Sequence, residues 1–201
     1  MQINSLFPIP VGQFKLPVLT KKQKSYIINQ PTNKNVGNRI SKNKFLLNDK
    51  IMSHVKKQIE KFLMEYSKEI ISHPDNCKLI ITQSWCNYAG LNESHHRHTH
   101  PNSIVSGVYY PQTNKEDKIF FYNDRMTRSV LKVDKLVYNS FNSSSWWIPT
   151  EENSLILFPS DLEHSVENRA TNGPDRISLS FNTFYTGEIG NHDHSTFLSL
   201  P

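Results

Sequence analysis

A chain of 201 residues, 36% hydrophobic and with a formal net charge of +5, has enough apolar material for one domain with its own core. Mean hydropathy is −0.56, and no apolar run approaches the roughly 20 residues a membrane-crossing helix needs, so a soluble protein is expected. The two cysteines, Cys77 and Cys86, are too few for a disulfide framework and are expected to stay reduced.

The first residues, Met1-Gln2-Ile3-Asn4-Ser5, show no basic stretch followed by an apolar one. No secretory signal is expected, and a cytoplasmic location follows. Lysines crowd the span from Lys21 to Lys68. They read as a solvated helical surface: no regular interleaving with aromatics marks a base-stacking face, so nucleic acid is not indicated beyond the modest basic charge.

Residues 1–18 carry three prolines among apolar residues, which predicts an extended segment or edge strand. Thr20 is placed to cap a short helix over 21–29, ended by Pro31. Residues 30–44 are polar and turn-marked and read as loop. Asn48 or Asp49 then caps the strongest helix. Ile51, Val55, Ile59, Phe62, Leu63, Tyr66 and Ile70 recur at helical spacing, and Pro74 stops it.

After Pro74 the helical period gives way to short β-rich runs. Strands are predicted over 79–88, closed by Gly90; over 103–110, closed by Pro111; and over 119–122. A weak one over 131–137 is followed by 145–148, 155–158, 164–166 and 176–185. Seven or eight short strands in about 110 residues indicate a β-sandwich or small barrel. Residues 187–201, with His192 and His194, read as a polar tail that frays. The organisation expected is an N-terminal extension with supporting helices over 1–75, a β core over 76–186 and a tail over 187–201.

Chemistry concentrates in three places. In Ser94-His95-His96-Arg97-His98-Thr99-His100-Pro101, histidines one residue apart on an extended segment point to the same side. His98 with His100, or His96 with His98, is a ready pair of metal-binding imidazoles. His95 or His96 acting with Glu93 is a further arrangement. His164 follows the apolar run 155–158 and a turn, which brings it to the start of the next strand. In Arg176-Ile177-Ser178-Leu179-Ser180-Phe181-Asn182, one face is polar and the other apolar. If Ile177, Leu179 and Phe181 pack toward the helices, Arg176 and Ser178 line an interior, where a guanidinium needs an anion. Asn87, Tyr110, Trp85 and Asn182 are the side chains expected to line that pocket. Trp146 and Trp147, with the polar loop 112–118, are expected to flank its mouth, unless the two tryptophans belong to the core.

Taken in order, these blocks resemble the Fe(II)- and 2-oxoglutarate-dependent oxygenase superfamily. The match runs from His98-Thr99-His100-Pro101 through Ser106-Gly107-Val108-Tyr109-Tyr110. It continues through Phe158-Pro159-Ser160-Asp161-Leu162-Glu163-His164 and ends with Arg176 to Asn182. More narrowly, these blocks look like one branch that occurs in bacteria and marine phages. The resemblance covers about residues 79–185 and implies a mainly β (α+β) fold. This is a double-stranded β-helix, or jelly roll, with the N-terminal helices packed on one sheet. It implies His98 and His164 as metal ligands, with His100 where the superfamily places a carboxylate. It implies Arg176, assisted by Ser178, as the partner of the distal carboxylate of 2-oxoglutarate, with Asn182, Tyr110 and Asn87 around the cosubstrate. No catalytic residue beyond the ligands is implied. The activity implied is hydroxylation of an unidentified substrate by O2, releasing succinate and CO2, in a bacterial or phage-infected cell. Two other readings stand beside it: a three-His cupin-like enzyme without 2-oxoglutarate, and a non-catalytic jelly-roll module. Oligomeric state is not written in the sequence.

Overall fold

The computed structural model describes residues 1–123, 134–168 and 172–201. In chain order the elements are β1 (Gly12–Lys15), α1 (Lys21–Ile28), β2 (Thr32–Lys34), β3 (Arg39–Ser41) and α2 (Ser53–Ile70). There follow β4 (Cys77–Ala89), β5 (His95–His98), β6 (Val105–Gln112), β7 (Lys118–Tyr122) and β8 (Ser145–Pro149). The chain closes with β9 (Ser154–Pro159), β10 (His164–Val166), β11 (Arg176–Ile189) and β12 (Leu198–Leu200). Among the described residues the strands form two sheets. The larger, of eight strands, runs β1-β9-β6-β11-β4-β3-β2, with β12 added on β11; the smaller runs β5-β10-β7-β8. The strand spacing predicts a β-sandwich or small barrel and the resemblance implies a jelly roll; the mainly β two-sheet arrangement agrees with both, with both helices lying in the N-terminal part of the chain.

The large sheet is covered on both faces, and its sequences record that. β9 reads Ser-Leu-Ile-Leu-Phe-Pro, a continuous apolar run of the kind a doubly buried strand requires. Leu155 and Leu157 join the core under the helices, while Ile156 and Phe158 join the second core, which spans the two sheets. β11 divides in the same way. Ile177, Leu179 and Phe181 pack with Val55, Ile59, Leu63 and Tyr66 of α2. The polar alternate residues from Arg176 to Asn182 therefore lie on the opposite face, toward the smaller sheet.

The N-terminal segments are fastened to this sheet by specific bonds. The Thr20 hydroxyl accepts from the Gln23 N–H at 3.2 Å while the Gln23 side chain accepts from the Thr20 N–H at 2.9 Å, a capping box that starts α1. The Tyr88 hydroxyl donates to the Ile27 carbonyl at 2.6 Å and the Tyr66 hydroxyl to Pro10 O at 3.0 Å, tying both helices to the strands. Ile51 and Ile70, at the ends of the predicted stripe, are exposed; Phe62 stacks on Phe14. Among the described residues no helix is long and apolar enough to cross a membrane.

Four expectations are corrected. Residues 30–44 are not simply loop: β2 and β3 form a hairpin that extends the sheet through Arg39 opposite Tyr88 and Ile40 opposite Asn87. Neither Asn48 nor Asp49 caps α2. Two 3-10 turns at 46–48 and 50–52 precede it, because Leu46, Leu47 and Met52 are buried there, and Met52 occupies the cap position. Pro111 does not close β6. It sits where β6 slips register against β11, a bulge that leaves it no ladder bond to supply. The tail does not fray throughout: residues 187–189 continue β11, and β12 pairs back onto them. Of the weak strand predicted over 131–137, residues 131–133 lie outside the described residues, and 134–137 form no strand.

Gly107 lies directly opposite Phe181 in the β6–β11 register, and the Phe181 ring occupies the space a side chain would need. A Cβ there would stand 2.1 Å from Phe181 Cζ and 2.6 Å from its Cε1. Gly107→Ala is expected to destabilise the fold by at least the ~1–3 kcal/mol of an overpacked core. The check is urea unfolding, with a lowered midpoint and unchanged slope. Phe181→Leu in the same chain is expected to recover part of the loss.

Candidate metal centre

β5 and β10 are neighbours in the small sheet, and their register sets His98 directly opposite His164. His100 lies two residues beyond the end of β5, in the connection to β6, where its backbone N–H donates to the Ser160 carbonyl at 2.9 Å. Ser160 in turn belongs to the turn that leads into β10. Two short connections thus deliver three imidazoles to one end of the space between the sheets. One ring nitrogen from each of His98, His100 and His164 lies within 4.8 Å of the other two. His100 Nε2 and His164 Nε2 are 3.3 Å apart. With metal–nitrogen bonds of roughly 2.1 Å, two nitrogens on one ion stand about 3.0–3.4 Å apart at octahedral to tetrahedral angles, so this spacing fits a shared ion.

The opposite edge of each ring is already committed. His98 Nδ1 pairs with the His96 carbonyl at 2.8 Å and His164 Nδ1 with the Leu162 carbonyl at 3.0 Å. His100 Nδ1 pairs with Asn182 Oδ1 at 2.5 Å. All three partners are pure acceptors, so each Nδ1 carries the proton and each Nε2 presents a lone pair. Burial holds the rings neutral. It pushes His164 down to about 3 and His100 to about 4, against the raising effect of the Asn182 bond, and it lowers His98 as well. A donor set of neutral nitrogens with fixed tautomers is the chemistry a divalent transition metal needs.

Apolar and aromatic rings enclose the cluster. Phe158 stands edge-on to His164 with centroids 4.7 Å apart, and Trp85, half-buried, stacks on His100 at 5.8 Å. His95 stacks on His98 at 4.4 Å and is held neutral, down to about 3, by burial first and then by the neighbouring charges of the cluster and of Arg176.

The remaining sequence candidates take definite places. Asn182 turns its amide oxygen to His100 and also accepts from Ser106 Oγ at 3.3 Å. Ser106, Ser160 and Ser103 continue as a chain of hydroxyls, each 2.8 Å from the next. Asn182 therefore orients the His100 ring, a role the sequence reading gave it no reason to have. Arg176 is buried and its Nη1 donates to Asp117 Oδ1 at 3.1 Å, with side-chain exposures of 5% and 2%. Asp117 was absent from the sequence candidates, since one Asp in the polar loop before β7 carries no pattern. Ser178 is half-buried opposite Asn87 in the β11–β4 register. Asn87 donates to Ser180 Oγ at 3.3 Å, and its own Oδ1 is buried with no hydrogen-bond partner among the described residues. Tyr110 is fully buried in the inter-sheet core, and its hydroxyl is pushed upward by burial while feeling both Arg176 and Asp117. His96 is exposed and contributes only its carbonyl, and Glu93 accepts from the Gly90 N–H at 2.7 Å; neither joins the cluster. Trp146 and Trp147 are exposed on β8 rather than core.

The family described as "Putative 2OG-Fe(II) oxygenase" matches residues 83–182, and over that stretch the chain carries a 2OG-Fe(II) oxygenase domain. No curated protein matches the sequence. Solved structures do match in shape. HygX from Streptomyces hygroscopicus, with nickel, 2-oxoglutarate and hygromycin B bound, is 10% identical, with 86% of this chain and 82% of that one covered and a TM-score of 0.56. A prolyl-4-hydroxylase from Pseudomonas putida is 10% identical over 87% and 92%, with a TM-score of 0.55. A 2OG-Fe(II) oxygenase family oxidoreductase from Burkholderia pseudomallei is 10% identical over 86% and 84%, at 0.51. The jelly roll is thus common to all of them, at identities that carry the fold alone.

Two outcomes follow from the cluster. The unfolded-state imidazole titrates near 6.5, while folded His100 and His164 are held at about 4 and about 3. Below pH 6.5 the unfolded chain takes up protons that the folded chain refuses. Stability of the metal-free protein is therefore fully present above about pH 6.5 and is lost as pH falls toward about 3. Thermal melting across that window is expected to show the slope, and His164→Leu to flatten it; equal slopes would sink the assignment. Second, Asn182→Ala frees His100 Nδ1 and is expected to weaken Co(II) or Fe(II) binding by about 10–100-fold, read by metal titration, with Asn182→Asp restoring much of it.

Proposed function

We propose that His98, His100 and His164 hold Fe(II) through Nε2, and that 2-oxoglutarate binds beside them with its distal carboxylate directed to Arg176. The protein is then a dioxygenase that hydroxylates an organic substrate with O2. The observation that carries this is the convergence of three Nε2 lone pairs whose Nδ1 atoms are all bound to acceptors. The family to which residues 83–182 correspond supports it, as does the 2-oxoglutarate bound in HygX.

Fe(II) with 2-oxoglutarate and O2 supplies oxidising power: the keto acid is decarboxylated to succinate and CO2 while one oxygen atom enters a substrate C–H bond. The protein's part is to place and insulate that chemistry. The His96 and Leu162 carbonyls and the Asn182 amide fix the three rings so that no rotation is needed on metal entry. Phe158, Phe121 and Trp85 keep water from the ligand edges. Arg176 keeps N–H donors beyond the one given to Asp117 and borders a cavity of about 140 Å³ with Phe120, Lys118, Glu116, Glu167 and Asn168. Ser178 and Asn87 are register partners on β11 and β4, outside the lining of that cavity, and would offer a hydroxyl and an acceptor to the cosubstrate or to water on it. Cys77 and Cys86 are free and buried, which agrees with a reducing compartment such as a bacterial cytoplasm.

A second reading is favoured by one observation. Arg176 already has a buried carboxylate partner, which suits a three-His metalloenzyme that binds no 2-oxoglutarate. One experiment separates the two. Under the first reading, anaerobic Fe(II)-loaded protein develops the visible charge-transfer absorption of a chelated keto acid on adding 2-oxoglutarate. In air it then forms succinate, and His164→Ala lowers that rate at least about a hundredfold. Iron binding with no absorption change and no succinate would replace the first reading by the second.

A further inference from the structure

We infer that Asp117 supplies, at the Arg176 end of the pocket, the negative charge that His100 removes from the metal end. The inference rests on the reading that Fe(II) and 2-oxoglutarate occupy this site. A pocket with two imidazoles and one carboxylate on the metal, one arginine and a dianionic keto acid is electrically balanced: Fe(II) and the guanidinium bring three positive charges, the carboxylate ligand and the dianion three negative ones. With His100 as third ligand that balance fails by one positive charge, and an uncompensated charge in a buried site is strongly unfavourable. Among the described residues Asp117 is the carboxylate that closes it. It is 2% exposed and paired with Arg176 at 3.1 Å.

The loop before β7 holds Asp117 in place before any ligand arrives. Its Oδ2 accepts from the Asn114 backbone N–H at 2.7 Å and from Asn114 Nδ2 at 3.3 Å, and its carbonyl accepts from the Thr150 N–H at 2.9 Å. The pair also lies within electrostatic reach of the imidazole end. Tyr110, buried between the sheets, feels both Arg176 and Asp117, and His95, stacked on ligand His98, feels Arg176. Arg176 therefore meets a second carboxylate as half of a neutral pair. It recognises the distal carboxylate by the direction of its remaining N–H donors rather than by net attraction.

This gives Asp117 a role in ligand binding that a merely structural residue would not have. Asp117→Asn keeps an oxygen acceptor for Arg176 Nη1 and removes the charge, at the cost of the two bonds that Oδ2 accepts from Asn114. The ligand-free variant is expected to melt below the native protein, and 2-oxoglutarate to raise its melting temperature by more than it raises the native one. By titration of anaerobic Fe(II)-loaded protein, 2-oxoglutarate is expected to bind the variant about tenfold more tightly. Pyruvate, which chelates in the same way but has no distal carboxylate, is expected to bind both proteins within about twofold of each other. A second variant gives the opposite sign: His100→Asp adds a carboxylate while Asp117 stays, and 2-oxoglutarate is expected to bind its metal-loaded form about tenfold more weakly. Unchanged or weaker 2-oxoglutarate binding in Asp117→Asn overturns the inference, as does equal or tighter binding in His100→Asp should the first variant not fold. Failure of the native metal-loaded protein to bind 2-oxoglutarate at all would instead remove the oxygenase reading, and this inference with it.

Discussion

β11 lies between β4 and β6, so from Arg176 to Asn182 its residues are committed to one of two interiors. One interior is apolar and belongs to α2; the other opens between the sheets. A strand in that position can keep a polar face only if the second interior has use for it. Arg176 and Asn182 show what that use is, since each is engaged by a residue of another strand or loop. The helix stripe, the covered large sheet and the polar cleft are consequences of one alternation pattern under double coverage.

The cluster at the other side of that cleft is built with little freedom. The strand pairing sets His98 against His164, the Ser160 carbonyl fixes the backbone of His100, and three acceptors fix three tautomers. Burial keeps the rings neutral, so the lone pairs are available at physiological pH without competition from protons. The hydroxyl chain of Ser106, Ser160 and Ser103 carries the restraint on His100 back to the large sheet, since Ser103 Oγ accepts from the Thr183 N–H at 3.1 Å. The third imidazole is thus held by as many bonds as the other two.

Charge ties the two ends of the cleft together. The three imidazoles carry no negative charge, and the buried carboxylate Asp117 stands on Arg176. The loop before β7 supplies the bonds that hold Asp117, so the carboxylate is in place beside Arg176 without any ligand.

The strong alternations and helical periods were legible in the sequence: α2, β4, β9 and β11, the choice of which β11 face meets the helices, and a sandwich or small barrel, with the jelly roll implied by the resemblance. The three histidines and Arg176 were legible as candidates, because imidazole spacing and a polar residue on a covered strand are local patterns. What stayed hidden depended on partners far apart in the chain. β2 and β3 are three residues each, too short for periodicity, and exist because the edge of β4 is free to pair. β12 exists because β11 runs long enough to receive it. Asn182 lies 82 residues from the ring it orients, and Asp117 lies 59 residues from Arg176. Sequence alone determined which side chains could do chemistry and which faces would be buried, because both follow from residue type and local period. Only the tertiary structure decided which acceptor holds each ligand and which carboxylate answers the arginine, because those are matters of strand register and loop closure.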